Sequence, residues 1–108
     1  MSQFRHLNSE QAVQLMSERQ VQVADIRDSG SYTQGHIAGA VQLSNENLAD
    51  FIAEAEPQNP LLVVCYHGVS SQGASQYLAE QGFQEVYSLD GGMSSFAMQY
   101  PEMLVSGL

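Results

Sequence analysis

Cys65 is the only cysteine among 108 residues, and it stands at the end of the apolar run Leu61-Leu62-Val63-Val64. A short run of this kind, half of it β-branched, reads as a buried strand. Tyr66, His67, Gly68, Val69, Ser70 and Ser71 follow, and then a segment with helical spacing. The thiol is therefore placed in a tight loop between a strand's C-terminal end and a helix N-terminus. In an α/β fold that location collects ligands and anions. Such a turn aims successive backbone N–H groups inward, and the helix adds its positive end. Both favour the nucleophilic thiolate over a thiol whose free pKa is about 8.5. The competing reading is an inert, buried cysteine that serves packing.

The residues around the thiol narrow the chemistry. Gly68 permits a backbone angle or a close approach that a larger residue resists. The hydroxyls of Ser70 and Ser71 either cap the helix or hydrogen-bond an incoming oxyanion, and capping is the expected role of Ser71. His67 either donates to an anionic leaving group or faces solvent without a role. A cysteine phosphatase needs an arginine six residues after its nucleophile. That position is Ser71, so a phosphoryl transition state would lack its bidentate clamp. Cys65, His67 and His36 fit no zinc spacing and lack a fourth ligand, so no metal is expected.

The elements that must position this loop follow from periodicity. Phe4 to Leu7 reads as an edge strand. Asn8 followed by Gln11 is a capping box for a helix whose face is Ala12, Leu15 and Met16. Val21 to Ala24 alternates as a strand ending near Asp25, and Asp28-Ser29-Gly30 is turn chemistry. One helical turn is expected over 31–35, and a short strand over 41–43. Ser44 or Asn45 is expected to cap a helix with Leu48, Phe51, Ile52 and Ala55 on one face. After the Cys65 loop, Ala74, Tyr77 and Leu78 form the expected helix face, and Gly82 ends it. A last strand over 85–88, the turn Asp90-Gly91-Gly92 and a helix over 93–99 follow. The tail beyond Pro101 to Leu108 is expected to be loosely ordered.

Alternating strands and helices mean a parallel sheet covered on both faces. If the strand ending at Asp25 neighbours that of Cys65, Asp25 and Arg27 reach the rim of one crevice. There Asp25 would accept hydrogen bonds that hold the loop's shape. Arg27 is the cation placed to help an anion, or else it pairs with Asp28 or Glu46. The segment Gly35-His36-Ile37-Ala38-Gly39-Ala40 suits tight entry into a strand.

Composition excludes several classes of partner. With 12 acidic residues, three arginines and no lysine, the formal net charge is −9. Nucleic acid and anionic membrane are poor partners for such a surface. A small anion would also be repelled, so loop amides must overcome the net field locally. No apolar run approaches membrane-spanning length. Met1 to His6 lacks an apolar signal segment, and a single cysteine makes no internal disulfide, so a cytoplasmic location is expected.

Four segments together resemble the rhodanese family of sulfurtransferases. They are Asp25-Ile26-Arg27, Gly35-His36-Ile37-Ala38-Gly39-Ala40, Cys65-Tyr66-His67-Gly68-Val69-Ser70 and Leu89-Asp90-Gly91-Gly92, in the family's order. The resemblance runs from about Val21 to Tyr100 and is greatest to the family's small single-domain thiosulfate sulfurtransferases. It implies an α/β, rhodanese-like three-layer domain with a central parallel five-stranded sheet, residues 1–108 forming one domain. It also implies that Cys65 takes the outer sulfur of thiosulfate as a persulfide and passes it to cyanide or to a thiol acceptor, a dithiol or a thioredoxin-like protein. No cofactor is implied.

The resemblance further implies a loop length suited to sulfur, since rhodanese-like phosphatases carry one residue more. Larger thiosulfate sulfurtransferases carry basic residues where this chain has Tyr66-His67, which implies weak thiosulfate affinity. Phe96 replaces the usual tryptophan of the last helix. Mercaptopyruvate as donor would want an arginine, for which Arg27 is the candidate. The alternative to an enzyme is a non-catalytic or sulfur-carrier module that docks a partner protein.

Overall fold

Leu61–Val64 is buried along its whole length, with Val63 and Val64 at 0% exposure. A strand apolar on both faces has to lie between two layers. The computed structural model, which describes residues 3–107, places it at the centre of a five-stranded sheet. In chain order the elements are β1 (Arg5–Leu7), α1 (Ser9–Glu18), β2 (Gln22–Asp25), α2 (Ser29–Gln34), β3 (His36–Ile37) and β4 (Val41–Gln42). Then come α3 (Leu48–Glu54), β5 (Leu61–Val64), α4 (Ser70–Glu80), β6 (Val86–Leu89) and α5 (Gly92–Gln99). A 3-10 turn (Pro101–Met103) and β7 (Leu104–Val105) complete the fold. The large sheet has the order β1-β6-β5-β2-β4 and all its pairings are parallel.

Strand alternation splits the core into two layers. Leu62 and Val64 face Ala12 of α1 and Met93 and Phe96 of α5. Leu61 and Val63 face Leu78 and Ala79 of α4, with Phe51 and Ile52 of α3 packed alongside. Each fully buried leucine or valine here stabilises the fold by about 1.5–3 kcal/mol relative to exposure. The expected three-layer arrangement is the one observed.

Several local expectations hold. Asn8 and Gln11 form a reciprocal capping box at the start of α1. Gly82 follows α4 with a φ of +108°, the left-handed backbone that ends many helices.

Others do not. Asp28 is not only a turn residue: its carboxylate caps α2 by accepting the Ser31 N–H at 3.1 Å, so that helix starts two residues earlier than expected. Neither Ser44 nor Asn45 caps α3, because Ser44 to Asn47 close a turn of their own in which Ser44 donates its N–H to Asn47 Oδ1. On α4 the buried face is Ser71, Ser75, Leu78 and Ala79, while Tyr77 is 44% exposed. Two serines on that stripe hid its register.

The tail is ordered as far as it is described. Leu104–Val105 pairs antiparallel with His36–Ile37, and Gly107 donates its N–H to the Thr33 carbonyl at 2.8 Å. Met103 and Leu104 pack against the core, an apolar anchor too short to show periodicity. Met1, Ser2 and Leu108 lie outside the described residues.

Candidate active site

Two neighbouring strands bring the sequence motifs to one end of the sheet. In the β2–β5 register Asp25 lies opposite Val64, and Ile26 donates its N–H to the Val64 carbonyl at 3.0 Å. Cys65 is the next residue. Its side chain is covered by its own loop, and the residue is 5% exposed. The backbone N–H groups of Gly68 and Ser71 each point at Sγ from 3.2 Å. Burial pushes the thiol pKa up, but the Ser71 hydroxyl and N–H and the Gly68 and His67 amides outweigh it, so the net shift is downward.

The loop has this shape because two glycines leave room for it. Gly68 has a φ of +84°, and a Cβ there would sit 2.8 Å from the Gly91 nitrogen. Gly92 has a φ of +60°, and a Cβ there would fall 2.4 Å from the Tyr66 carbonyl oxygen. That space is used by hydrogen bonds. Met93 and Ser94 donate their N–H groups to the carbonyls of Cys65 and Tyr66, at 2.8 and 3.0 Å. The first turn of α5 thus holds the loop's carbonyls away from the sulfur, and the loop's amides face it.

Tyr66 closes one side. Its ring is 45% exposed, and its hydroxyl donates to the Asp28 carboxylate and bonds the Ser31 hydroxyl. The loop is thereby tied to the N-terminus of α2. The Tyr66 hydroxyl, with the Ser31 hydroxyl and N–H, holds the Asp28 carboxyl down at about 2. The Arg27 guanidinium lies 5.9 Å from the centre of the Tyr66 ring.

Arg27 does not pair with Asp28 or Glu46. Its Nε and Nη2 donate to both oxygens of Asp25, the shortest at 2.7 Å, and Nη2 also donates to the Gly35 carbonyl at 2.8 Å. Asp25 is fully buried, and it accepts the Arg27 backbone N–H as well. A buried carboxylate needs such a partner, and the partner two residues on folds back to supply it. The amides Asp25 accepts are therefore not those of the Cys65 loop.

His67, Val69 and Ser70 are exposed, Val69 at 73%. Ser71 is not a helix cap. It is fully buried, with Oγ 2.7 Å from Ser88 Oγ of β6. His36 is remote from this chemistry: it is buried, stacked on Tyr32 at 3.8 Å, and bonded through Nδ1 to the Tyr32 carbonyl. Among the described residues no three His, Cys, Asp or Glu side chains gather as a metal site.

Three contributors escaped the sequence reading. In the sequence Asp28 reads as a turn residue and a candidate partner of Arg27, and Gly92 as a turn residue. Ser88 drew no attention, although a serine inside a strand buried throughout is itself a signal.

A parallel five-stranded sheet carrying a cysteine loop between a central strand and a helix, with amides turned onto the sulfur, defines a rhodanese-like domain. The description of that family matches residues 8–99, and the chain belongs to the rhodanese family. It is 58% identical over 96 residues to the thiosulfate sulfurtransferase GlpE of Shewanella oneidensis, covering 89% of this chain and 95% of that one. It is 50% identical over 107 residues to the protein of the same name from Pseudomonas entomophila, covering 99% and 97%. A rhodanese-like domain protein from Staphylococcus aureus superposes with a TM-score of 0.75 at 21% identity, covering 86% of this chain and 91% of that one, a likeness of fold alone.

Proposed function

We propose that this chain is a thiosulfate sulfurtransferase that carries sulfur as a persulfide on Cys65. The observation that carries the reading is the pair of backbone amides at 3.2 Å from the one thiol. The relatives at about half identity or more bear the name of that activity.

The Cys65 thiolate attacks the outer sulfur of thiosulfate. The Cys65 S–S bond forms as the S–S bond of thiosulfate breaks, and sulfite leaves with the electron pair. A persulfide anion remains in the loop, and the charge is conserved. Cyanide then attacks the terminal sulfur, thiocyanate leaves, and the thiolate is regenerated. A thiolate acceptor takes the sulfur in the same way and becomes a persulfide itself. A dithiol acceptor goes further, closing to a disulfide and releasing hydrosulfide. The loop amides serve both half-reactions, because an anionic sulfur is present before and after each transfer.

Within this reading His67, Gly68, Val69, Ser70 and Ser71 form the wall around the transferred sulfur. Tyr66 braces it on Asp28 and Ser31. Asp25 and Arg27 support the end of the neighbouring strand. The negative chain holds a dianion through short-range dipoles, which act within a few ångströms where the net field is diffuse. The chain is read as one rhodanese domain. A reducing compartment such as the cytoplasm suits a mechanism that needs its thiol free, and no helix among the described residues is long and apolar enough to cross a membrane.

Steady-state thiocyanate formation from thiosulfate and cyanide tests the proposal. Parallel lines in double-reciprocal plots are expected, the signature of a covalent intermediate. Intersecting lines, or no turnover, would overturn it.

A further inference from the structure

Behind the Cys65 loop lies a buried row of serines, of which the proposed mechanism uses only Ser71. Ser71 and Ser75 are one turn apart on α4, Ser88 is on β6, and all three are at 0% exposure. Ser75 Oγ has no hydrogen-bond partner among the described residues, whereas the hydroxyls of Ser71 and Ser88 are 2.7 Å apart. Ser71 is also the residue whose N–H lies 3.2 Å from Sγ.

A hydroxyl has one proton to give. A thiolate accepts and cannot donate. When Ser71 gives its O–H to an anionic sulfur, the bond to Ser88 must run the other way, with Ser88 donating and Ser71 accepting. We propose that Ser88 is a positioning residue: its hydroxyl donates to Ser71 Oγ and turns the Ser71 O–H onto Cys65, so that a two-hydroxyl relay across the α4–β6 packing stabilises the anionic sulfur. The inference rests on the reading of Cys65 as a working nucleophile. It assigns a role to a residue that never reaches the substrate, from a strand on the far side of β5 from Asp25.

Few charges compete with such a relay. Tyr66 and His67 of the loop are exposed. Asp25 and Arg27 of β2 satisfy each other, and Asp90 after β6 is bonded to His6 at 2.7 Å. The first turns of α4 and α5 carry no acidic side chain. Neutral hydrogen bonds therefore tune the sulfur, and in a buried site each is worth more than in water.

The test is a thermodynamic cycle read by alkylation. Cys65 is the only thiol, so iodoacetamide labelling followed by intact mass against pH reports its ionisation directly. Wild type, Ser71→Ala, Ser88→Ala and the double variant are compared, each first shown to unfold cooperatively in urea. Ser88→Ala is expected to raise the midpoint by about half a unit to one unit, the effect of one lost hydrogen bond. In the Ser71→Ala background the same change is expected to add nothing. A wild-type midpoint in folded Ser88→Ala would overturn the relay, and so would an equal shift with and without Ser71. Alkylation needs no sulfur donor, so this result stands apart from whether thiosulfate loads the protein.

Discussion

The backbone N–H of Met93 lies 2.8 Å from the carbonyl oxygen of Cys65, joining the first turn of α5 to the peptide of Cys65 itself. That contact turns the loop inside out: carbonyls go to α5 and amides to sulfur. It requires the backbone of residue 92 to pass close under the loop.

Gly92→Ala is therefore expected to be damaging on two counts. Its Cβ would lie 2.4 Å from the Tyr66 oxygen, and its φ of +60° is strained for any L side chain. The strain alone is worth about 1–3 kcal/mol. Urea unfolding should show at least that loss, and thiocyanate formation should fall by more than tenfold. Gly73 of α4 is the control. A Cβ there meets nothing within 4 Å, so Gly73→Ala should stabilise by about 0.5–1 kcal/mol and leave turnover alone.

Arg27→Ala would leave Asp25 charged and alone in the interior. Asp25 and Arg27 side chains are 0% and 8% exposed, so removing one partner is expected to destabilise by about 3–5 kcal/mol. Chemical denaturation measures it. Arg27→Lys should recover only part, since an ammonium cannot span both carboxylate oxygens and the Gly35 carbonyl as a planar fork does.

Tyr66→Phe removes the strongest support of the Asp28 carboxylate. The Asp28 pKa, held down at about 2, should rise as read by carbon-detected NMR titration. The sign follows from its being lower in the folded state. Asp28 stabilises the fold above its unfolded pKa, and that contribution is lost as pH falls through the folded value. The acid limb of the wild type's stability should therefore flatten between about pH 4 and pH 2 in the variant. An unmoved Asp28 titration would show that the Tyr66 hydroxyl does not hold it.

His67→Ala should change little. The residue is exposed, and its ring lies tilted by 35° to that of Tyr66 with centroids 6.2 Å apart. A loss of roughly threefold or less in persulfide formation is expected, under about 0.7 kcal/mol of barrier. A loss of a hundredfold in a folded variant would make the imidazole a participant.

The pattern of the sequence carried the architecture because strands buried on both faces and amphipathic helices announce themselves. Leu61–Val64 and the capping box at Asn8 are of that kind. What the pattern hid was polar and tertiary. On α4 the expected Leu78 is buried and Ala74 packs against the core, but Tyr77 is exposed, and Ser71 and Ser75 are buried where a hydrophobic count expects leucines. The β3–β7 pair has two residues to a strand and no period to read. At the site, Cys65 and Gly68 were legible from type and spacing. The partner of Arg27, the anchoring of Tyr66 on Asp28 and the contact of Ser71 with Ser88 depend on which side chains the fold brings face to face, and local sequence does not encode that.

The most direct measurement is the intact mass of the protein after incubation with thiosulfate. The wild type should gain one sulfur atom, lose it on addition of cyanide, and show no gain as Cys65→Ser. A wild-type protein that stays at its unmodified mass, or a Cys65→Ser variant that gains the same sulfur, would contradict the account.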